Sequence, residues 1–263
     1  MEIIENIGEL ALRFKVWNPN EELRDYPFVK NTHAPFTPMR RALPMANVAL
    51  VSSAGAYIDG TQAFDLSASD GDLSFREIPI EVDSEDLLFS VKNYDASEVL
   101  KDRNVLIPID RLSEYEANGV IGKLNPVWWS VSSHIPNAAR VATDLAPKMA
   151  ERISASGVQV AIFIPASPLC HQTLGIIARE VESRGICTML ISTNRKMTDS
   201  VRPPRVAYYE GVTGATLGRA GWKQYHLRIL DEALRWTETF DQPGSRKLSV
   251  EIESITELAR GEK

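Results

Sequence analysis

Between residues 158 and 191 three stretches follow one another with very short links. Val158–Ile164 is apolar apart from Gln159 and is the strongest strand signal in the chain. A helix is predicted from about 170 to 184, with Leu174, Ile177, Ala178 and Val181 at i, i+3, i+4 and i+7. Gly185 stops it, and Cys187–Ile191 reads as a second buried strand. Strand, helix and strand joined in this way lie parallel in one sheet, with the helix crossing over its face.

The alternation extends to either side. Strands are predicted at Val48–Val51, Asp72–Ile78, Val105–Ile109, Val127–Val131 and Val206–Tyr209. Helices are predicted over 2–16, Asp110–Asn118, 138–155, 222–237 and 249–260. Pro147 lies inside the 138–155 run and predicts a kink, or a restart with Asp144 as N-cap. Pro19, Pro27, Pro35, Pro38 and Pro44 make 18–46 an extended arm or lid rather than a packed layer. The fold class is therefore α/β: a mostly parallel open sheet with helices on both faces, an N-terminal arm and a C-terminal helix. The domain division is 1–46 for the N-terminal helix and arm, 47–240 for the α/β domain and 241–263 for a C-terminal helical tail.

Composition narrows the function classes. The 29 basic and 35 acidic side chains leave a net charge of −6, with no basic block to meet a phosphate backbone, so a nucleic-acid partner is not expected. The apolar runs fall far short of the roughly 20 residues of a membrane helix. Met1–Glu5 lacks the basic start and apolar stretch of a signal peptide, and a cytoplasmic protein is expected. Two cysteines, Cys170 and Cys187, allow neither a disulfide scaffold nor a cysteine-rich zinc site.

Open parallel sheets bind ligands outside the carboxyl ends of their strands. That rule selects the loops Ser52–Tyr57, Ser132–Asn137, Pro165–Cys170 and Ser192–Arg195. In the first, Gly55 lets backbone amides approach a carboxylate, Ser52 and Ser53 add hydroxyls, and Tyr57 follows. Trp128 and Trp129 face opposite sides of one strand, so one is core and Trp129 is a candidate pocket wall. His134 is a candidate acid or base. Cys170 sits at or near a helix N-terminus, where the dipole draws a thiol of ordinary pKa about 8.5 toward thiolate, and a protonated His171 would add to the pull. Position alone leaves a second reading open, in which Cys170 is a small, partly buried residue at a helix start. His33 and His226 read as surface residues, Asp110 and Arg111 as a structural ion pair, and Cys187 as inert. Arg195, Lys196, Arg202 and Arg205 form a local basic cluster, read as a solvated loop.

Ser167-Pro168-Leu169-Cys170-His171-Gln172, followed by Gly175-Ile176-Ile177-Ala178-Arg179-Glu180, resembles the redox segment of the glycine/sarcosine/betaine/D-proline reductase selenoprotein B family. There a selenocysteine or cysteine precedes x-x-Cys-His between a strand and a helix. Further blocks are similar to that family: Val48–Gly55, Asp72–Pro79, Asn93-Tyr94-Asp95, Asp102–Val105, Ile107–Leu112, Gly119–Gly122, Pro203-Pro204-Arg205 and Leu217-Gly218-Arg219. The likeness covers roughly 48–235 and leaves 1–46 outside. It implies reductive cleavage of a C–N bond in a small amino acid or amine, with Ser167, Cys170 and His171 at the active centre. It also implies a thiol reductant as electron donor, no bound cofactor, and a partner subunit that can supply a pyruvoyl group. A homo-oligomer is expected.

The chain departs from the family pattern at its centre. Ser167 stands at the Sec or Cys position, and Ser90–Asp95 lacks the histidine that the family carries before Tyr-Asp. Three readings stay open: a reductase subunit altered at its nucleophile, a non-redox enzyme cleaving a C–N or C–S bond through Cys170, and a non-catalytic partner-binding subunit.

Overall fold

The structure is a computed structural model and describes residues 29–250 together with the strand Glu2–Ile3. Glu2–Ile3 (β1) pairs antiparallel with Val29–Lys30 (β2). The rest of the helix expected over 2–16 lies outside the described residues, as does the helix expected over 249–260 beyond Val250.

The chain then runs through Asn47–Ser52 (β3), Ala56–Ile58 (β4), Phe75–Pro79 (β5), Leu87–Phe89 (β6), Ile109–Ala117 (α1), Lys123–Leu124 (β7) and Val127–Val131 (β8). Ala138–Arg140 (α2) passes through a π-helical turn, Val141–Leu145, into Ala146–Ala155 (α3). Val160–Ile164 (β9), Pro168–Ser183 (α4), Cys187–Ser192 (β10), Arg195–Val201 (α5), Arg205–Tyr208 (β11), Lys223–Thr239 (α6) and Gly244–Lys247 (β12) complete it.

The main sheet has the order β12-β11-β10-β9-β3-β8-β5, with β7 alongside β3. Its pairings are parallel except for the edge pair β5 with β8. The strands alternate between two cores. Val48, Leu50, Val160 and Ile162 face the side covered by α1 and α6, through Leu112, Ile229, Leu230 and Ala233. Ala49, Val51, Ala161 and Phe163 face α3 and α4, through Met149, Ile153, Leu174, Ile177 and Val181. This is the expected α/β sheet with helices on both faces. The helix stops are local: Gly157 and Gly185 take φ of 68° and 86° one residue beyond the caps of α3 and α4, a conformation glycine adopts without a Cβ clash.

Several expectations are corrected. Val105–Ile109 is not a strand. Arg103–Val105 is a 3-10 turn capped by the Asp102 side chain, Pro108 is the N-cap residue of α1, and Val105, Leu106 and Ile107 are buried as a loop. A short apolar run records burial without specifying backbone shape. Asp144 caps nothing; its carboxylate accepts from Arg140 and Thr143, and a π-turn rather than a restart brings the chain to Pro147. The segment after 240, expected as a helical tail, opens with β12, so the sheet runs on past that point. The described part of the proline arm follows the helices toward the starts of the strands. Val29 N donates to Gln172 Oε1, and Thr37 N donates to Glu182 Oε1.

Arg205 is not part of a solvated cluster. It is fully buried, with Nη1 donating to Glu182 Oε1 at 2.7 Å and Phe36 stacked 4.1 Å from its guanidinium carbon. Burial pushes the Glu182 carboxyl up, opposed by Arg205, Thr188 and Thr37. Asp110 pairs with Arg103, and Arg111 with Asp102 and Glu114, so Asp110 and Arg111 do not pair with each other. His226 is buried, with Nε2 at 2.9 Å from the Arg219 carbonyl, and is no surface residue. No helix among the described residues is long and apolar enough to cross a membrane.

Candidate functional site

From β3 the chain goes to β8 on one side and then returns to β9 on the other. The strand order reverses here, and the carboxyl ends of the strands open a crevice at such a point. Serines from all three strand ends converge on it: Ser52 at the end of β3 and Ser53 just beyond, Ser132 and Ser133 after β8, and Ser167 after β9. All five are buried.

Ser167 is the N-cap of α4 and Pro168 its first residue. Proline suits that position because its φ is already helical and no N–H is lost there. The Ser167 hydroxyl accepts from Cys170 N at 3.3 Å, as an N-cap serine does for the third residue of the helix. This turn sets Ser167 Oγ 3.1 Å from Cys170 Sγ. Both atoms reach one carbonyl, that of Ser133, at 3.2 Å from Oγ and 3.3 Å from Sγ. On the opposite side Sγ lies 3.8 Å from the Ser53 carbonyl, and the Ser53 hydroxyl accepts from Ala166 N.

The electrostatics reverse the expected thiolate. Cys170 is 1 % exposed, and burial pushes its thiol up against the lowering effect of its hydrogen bonds. A helix N-terminus is worth about 0.3–1 kcal/mol to an anion, and desolvation of a buried ion costs several kcal/mol. The thiol is therefore neutral in this closed state. Cys187, on β10, is also buried and pushed up to about 12.

His171 supplies no positive charge. The Thr193 N–H donates to its Nε2 at 3.1 Å, so the ring proton sits on Nδ1 and is donated to the Ser167 carbonyl at 2.9 Å. Burial brings its pKa down from 6.5 to about 4. The neutral ring ties the first turn of α4 to the loop after β10. The unfolded chain binds the His171 proton more tightly than the native state, so this residue costs no stability above about pH 6.5. Stability then falls as the pH drops toward 4, by ~3 kcal/mol in total at about 1.4 kcal/mol per unit. His226, also lowered by burial, acts in the same direction. His171→Asn is expected to flatten the fall in urea midpoint between pH 6.5 and 4; an unchanged slope means that His171 does not titrate as its burial demands.

The remaining predicted residues divide. The Ser52 hydroxyl accepts from Ala54 N at 3.3 Å and shapes the turn after β3. Gly55 has φ +70°, and a Cβ there would stand 2.3 Å from the Ser90 carbonyl oxygen, so this glycine permits close approach of the 90–95 segment. Tyr57 is half-buried on β4, opposite Leu88. Trp129 walls no pocket: it is fully buried in the α3–α4 core, with Nε1 donating to Glu77 Oε1 at 3.1 Å. Trp128 is buried on the other face. His134 is 6 % exposed and contacts Asn93 at 3.0 Å, so its partner is a residue of the segment in which the family histidine is missing.

Sequence reasoning missed Ser133, Tyr94 and Thr193 as residues, although it selected the loops or block that contain them. Tyr94 donates to the Ala54 carbonyl at 2.7 Å. Burial pushes its phenol up, and the proximity of Cys170 adds to this. Among the described residues no group of three or more His, Cys, Asp or Glu is placed to hold a metal ion.

The chain is 26 % identical over 200 residues to the D-proline reductase subunit gamma of Acetoanaerobium sticklandii, covering 76 % of this chain and 81 % of that one. It is 25 % identical over 177 residues to the glycine reductase complex component B subunit gamma of Symbiobacterium thermophilum, covering 64 % of this chain and 40 % of the relative. The same component of Carboxydothermus hydrogenoformans is 25 % identical over 207 residues, covering 76 % and 46 %. The chain thus spans less than half the length of these two glycine reductase relatives. No solved structure matches it. The family model for glycine/sarcosine/betaine reductase selenoprotein B matches residues 19–166. The match takes in part of the arm, which the sequence likeness had left outside, and stops one residue before Ser167. It spans more than half of the sequence, and the chain belongs to the glycine/sarcosine/betaine reductase selenoprotein B family.

Proposed function

We propose that this chain is a component of a selenoprotein-B-type reductase acting on a small amino acid or amine. In this reading residues 167, 170 and 171 form the redox centre, and Ser167 occupies the Sec or Cys position. One observation carries it: in a member of this family, Ser167 Oγ lies 3.1 Å from Cys170 Sγ at the helix start facing the sheet's switch point. A sulfur or selenium at 167 would attack the carbon of the C–N bond, and the amine would leave with a proton. Cys170 would then displace that carbon by forming a bond to the atom at 167, and the carbon would take up a proton. An external dithiol reduces the new bond and supplies both electrons. His171 holds the turn that aligns the two positions. A serine oxygen forms no such bond, so the chain as it stands lacks the pair. Its relatives are named as subunits, which supports a partner subunit; a pyruvoyl group would enter on that partner's own chain.

The test is amine release from proline, glycine, sarcosine and betaine with dithiothreitol, using the protein with any subunits that co-purify. Ser167→Cys or Sec is expected to gain dithiol-dependent release that Ser167→Cys/Cys170→Ser lacks. Release by the unaltered protein without reductant, lost in Cys170→Ala, overturns this in favour of non-redox cleavage. The closed, neutral surroundings of Cys170 favour a second reading, a non-catalytic partner-binding subunit; an inactive Ser167→Cys protein that retains a tight protein partner would select it.

A further inference from the structure

Two segments distant in sequence meet over the Ser167–Cys170 site. The first is 90–95, whose contacts include Asn93 with His134 at 3.0 Å and three hydrogen bonds to the loops of the site. The Ser133 hydroxyl donates to the Ser90 carbonyl at 2.8 Å, Lys92 N donates to the Ser133 hydroxyl at 2.9 Å, and the Tyr94 phenol donates to the Ala54 carbonyl at 2.7 Å. The second is 212–216. Gly214 N donates to the Ala166 carbonyl at 2.9 Å, and the Thr216 hydroxyl donates to the Pro165 carbonyl at 2.5 Å. The two segments touch at Gly214, where a Cβ would stand 2.5 Å from the Asp95 carbonyl oxygen and 3.1 Å from the Tyr94 ring. Asp95, Val212 and Thr213 face outward and are exposed, whereas Ser53, Ser133, Ser167 and Cys170 below are at most 1 % exposed.

We infer that segments 90–95 and 212–216 form a two-part lid over the Ser167–Cys170 site, latched by Tyr94 and Ser133. The argument is one of access and of shared contacts. A buried thiol meets no solute until something above it moves. What covers it is loop rather than sheet, anchored at Ala215 and Thr216, which are buried, and exposed at Asp95, Val212 and Thr213; such loop segments open at lower cost than the strands of the core. Ser133 links the lid to the site: its side chain holds segment 90–92, and its carbonyl is the common partner of Ser167 Oγ and Cys170 Sγ. Asn93, at φ +66°, carries 90–95 through a left-handed turn that asparagine tolerates, and its contact with His134 adds a further tie to the loop after β8. The lid holds whichever chemistry the site carries.

The experiment is alkylation of the native, full-length protein with iodoacetamide, without reductant or substrate, read by peptide mass spectrometry. Cys187 is the internal reference, because it is paired into the sheet as the first residue of β10, buried against α6 near Thr237, and touches neither lid segment. In the unaltered protein Cys170 is expected to label at least about tenfold faster than Cys187. Tyr94→Phe and Ser133→Ala each remove hydrogen bonds of the closed state. Each is expected to raise the Cys170 rate roughly five- to thirtyfold and to leave Cys187 unchanged. Equal labelling of the two cysteines in the unaltered protein overturns the lid, and does so even where neither variant folds. Folded variants that leave Cys170 unchanged, or accelerate both cysteines alike, overturn it as well. None of these outcomes bears on whether Ser167→Cys gains reductase activity.

Discussion

Oxidised Ser167→Cys protein is expected to contain a crosslink between residues 167 and 170 that dithiothreitol reverses, with Cys187 still a free thiol. Ser167 Oγ already lies 3.1 Å from Cys170 Sγ. A cysteine sulfur stands farther from its Cβ than a serine oxygen, so a small side-chain rotation brings the two sulfurs to about 2.05 Å. The N-cap backbone is extended and Pro168 restrains the next residue, so the two positions are held near each other before any bond forms. His171 stays neutral and keeps the Ser167 carbonyl in place. Burial raises the Cys170 thiol, so crosslinking is expected to be slow with a bulky oxidant and faster in the Tyr94→Phe background. Thiol titration and the mass of the tryptic peptide check the result. Three free thiols after oxidant, at 167, 170 and 187, with the fold intact, would remove the geometric basis for a redox centre at 167 and 170.

Arg205→Ala is expected to destabilise the protein by about 3–5 kcal/mol, the usual cost of leaving a buried charge without its partner. Arg205 and Glu182 are both 0 % exposed at their side chains and 2.7 Å apart. Glu182 also receives Thr188 N at 2.7 Å and Thr188 Oγ1 at 2.6 Å, and Arg205 Nη2 donates to the Thr37 carbonyl. The pair thereby ties together α4, β10, β11 and the proline arm. Urea unfolding measures the loss. Glu182→Leu combined with Arg205→Met removes both charges and is expected to recover only part of it, because the Thr188 donors remain buried and unpartnered and the part-buried Thr37 N–H loses its acceptor. A loss below about 1 kcal/mol in the single variant would mean that the arm is not anchored here.

The elements legible in the sequence are those whose signal is local. Val160–Ile164 and Cys187–Ser192 are strands buried on both faces, and their predominantly apolar runs report that directly. Gly157 and Gly185 end helices through their own left-handed backbone. The α4 start came out two residues late, at 170 instead of Pro168, because the apolar stripe begins after the cap; Ser167 followed by Pro168 was the better signal. The candidate centre was legible for the same reason, since a strand end running into a helix start is written in consecutive residues.

The order of residues alone carries the α/β architecture, the placing of Ser167, Cys170 and His171 on one helix turn, and the likeness to the selenoprotein B family. The solvation of those groups depends on segments packed from elsewhere in the chain. Ser133 lies 34 positions from Ser167 in the chain, yet its carbonyl meets the Ser167 hydroxyl. Tyr94, Gly214 and Thr193 reach the same region from separate loops. The helix dipole is a local property and pointed to a thiolate, whereas the dielectric around Cys170 is set by residues packed from elsewhere and holds the thiol neutral. Arg205, His226 and Trp129 follow the same logic: residue type suggests surface or pocket, and burial depends on which distant segment lies on top. Charge–solvent energies outweigh local helix-end fields by several-fold, so the state of each titrating group was settled by packing rather than by its neighbours in sequence.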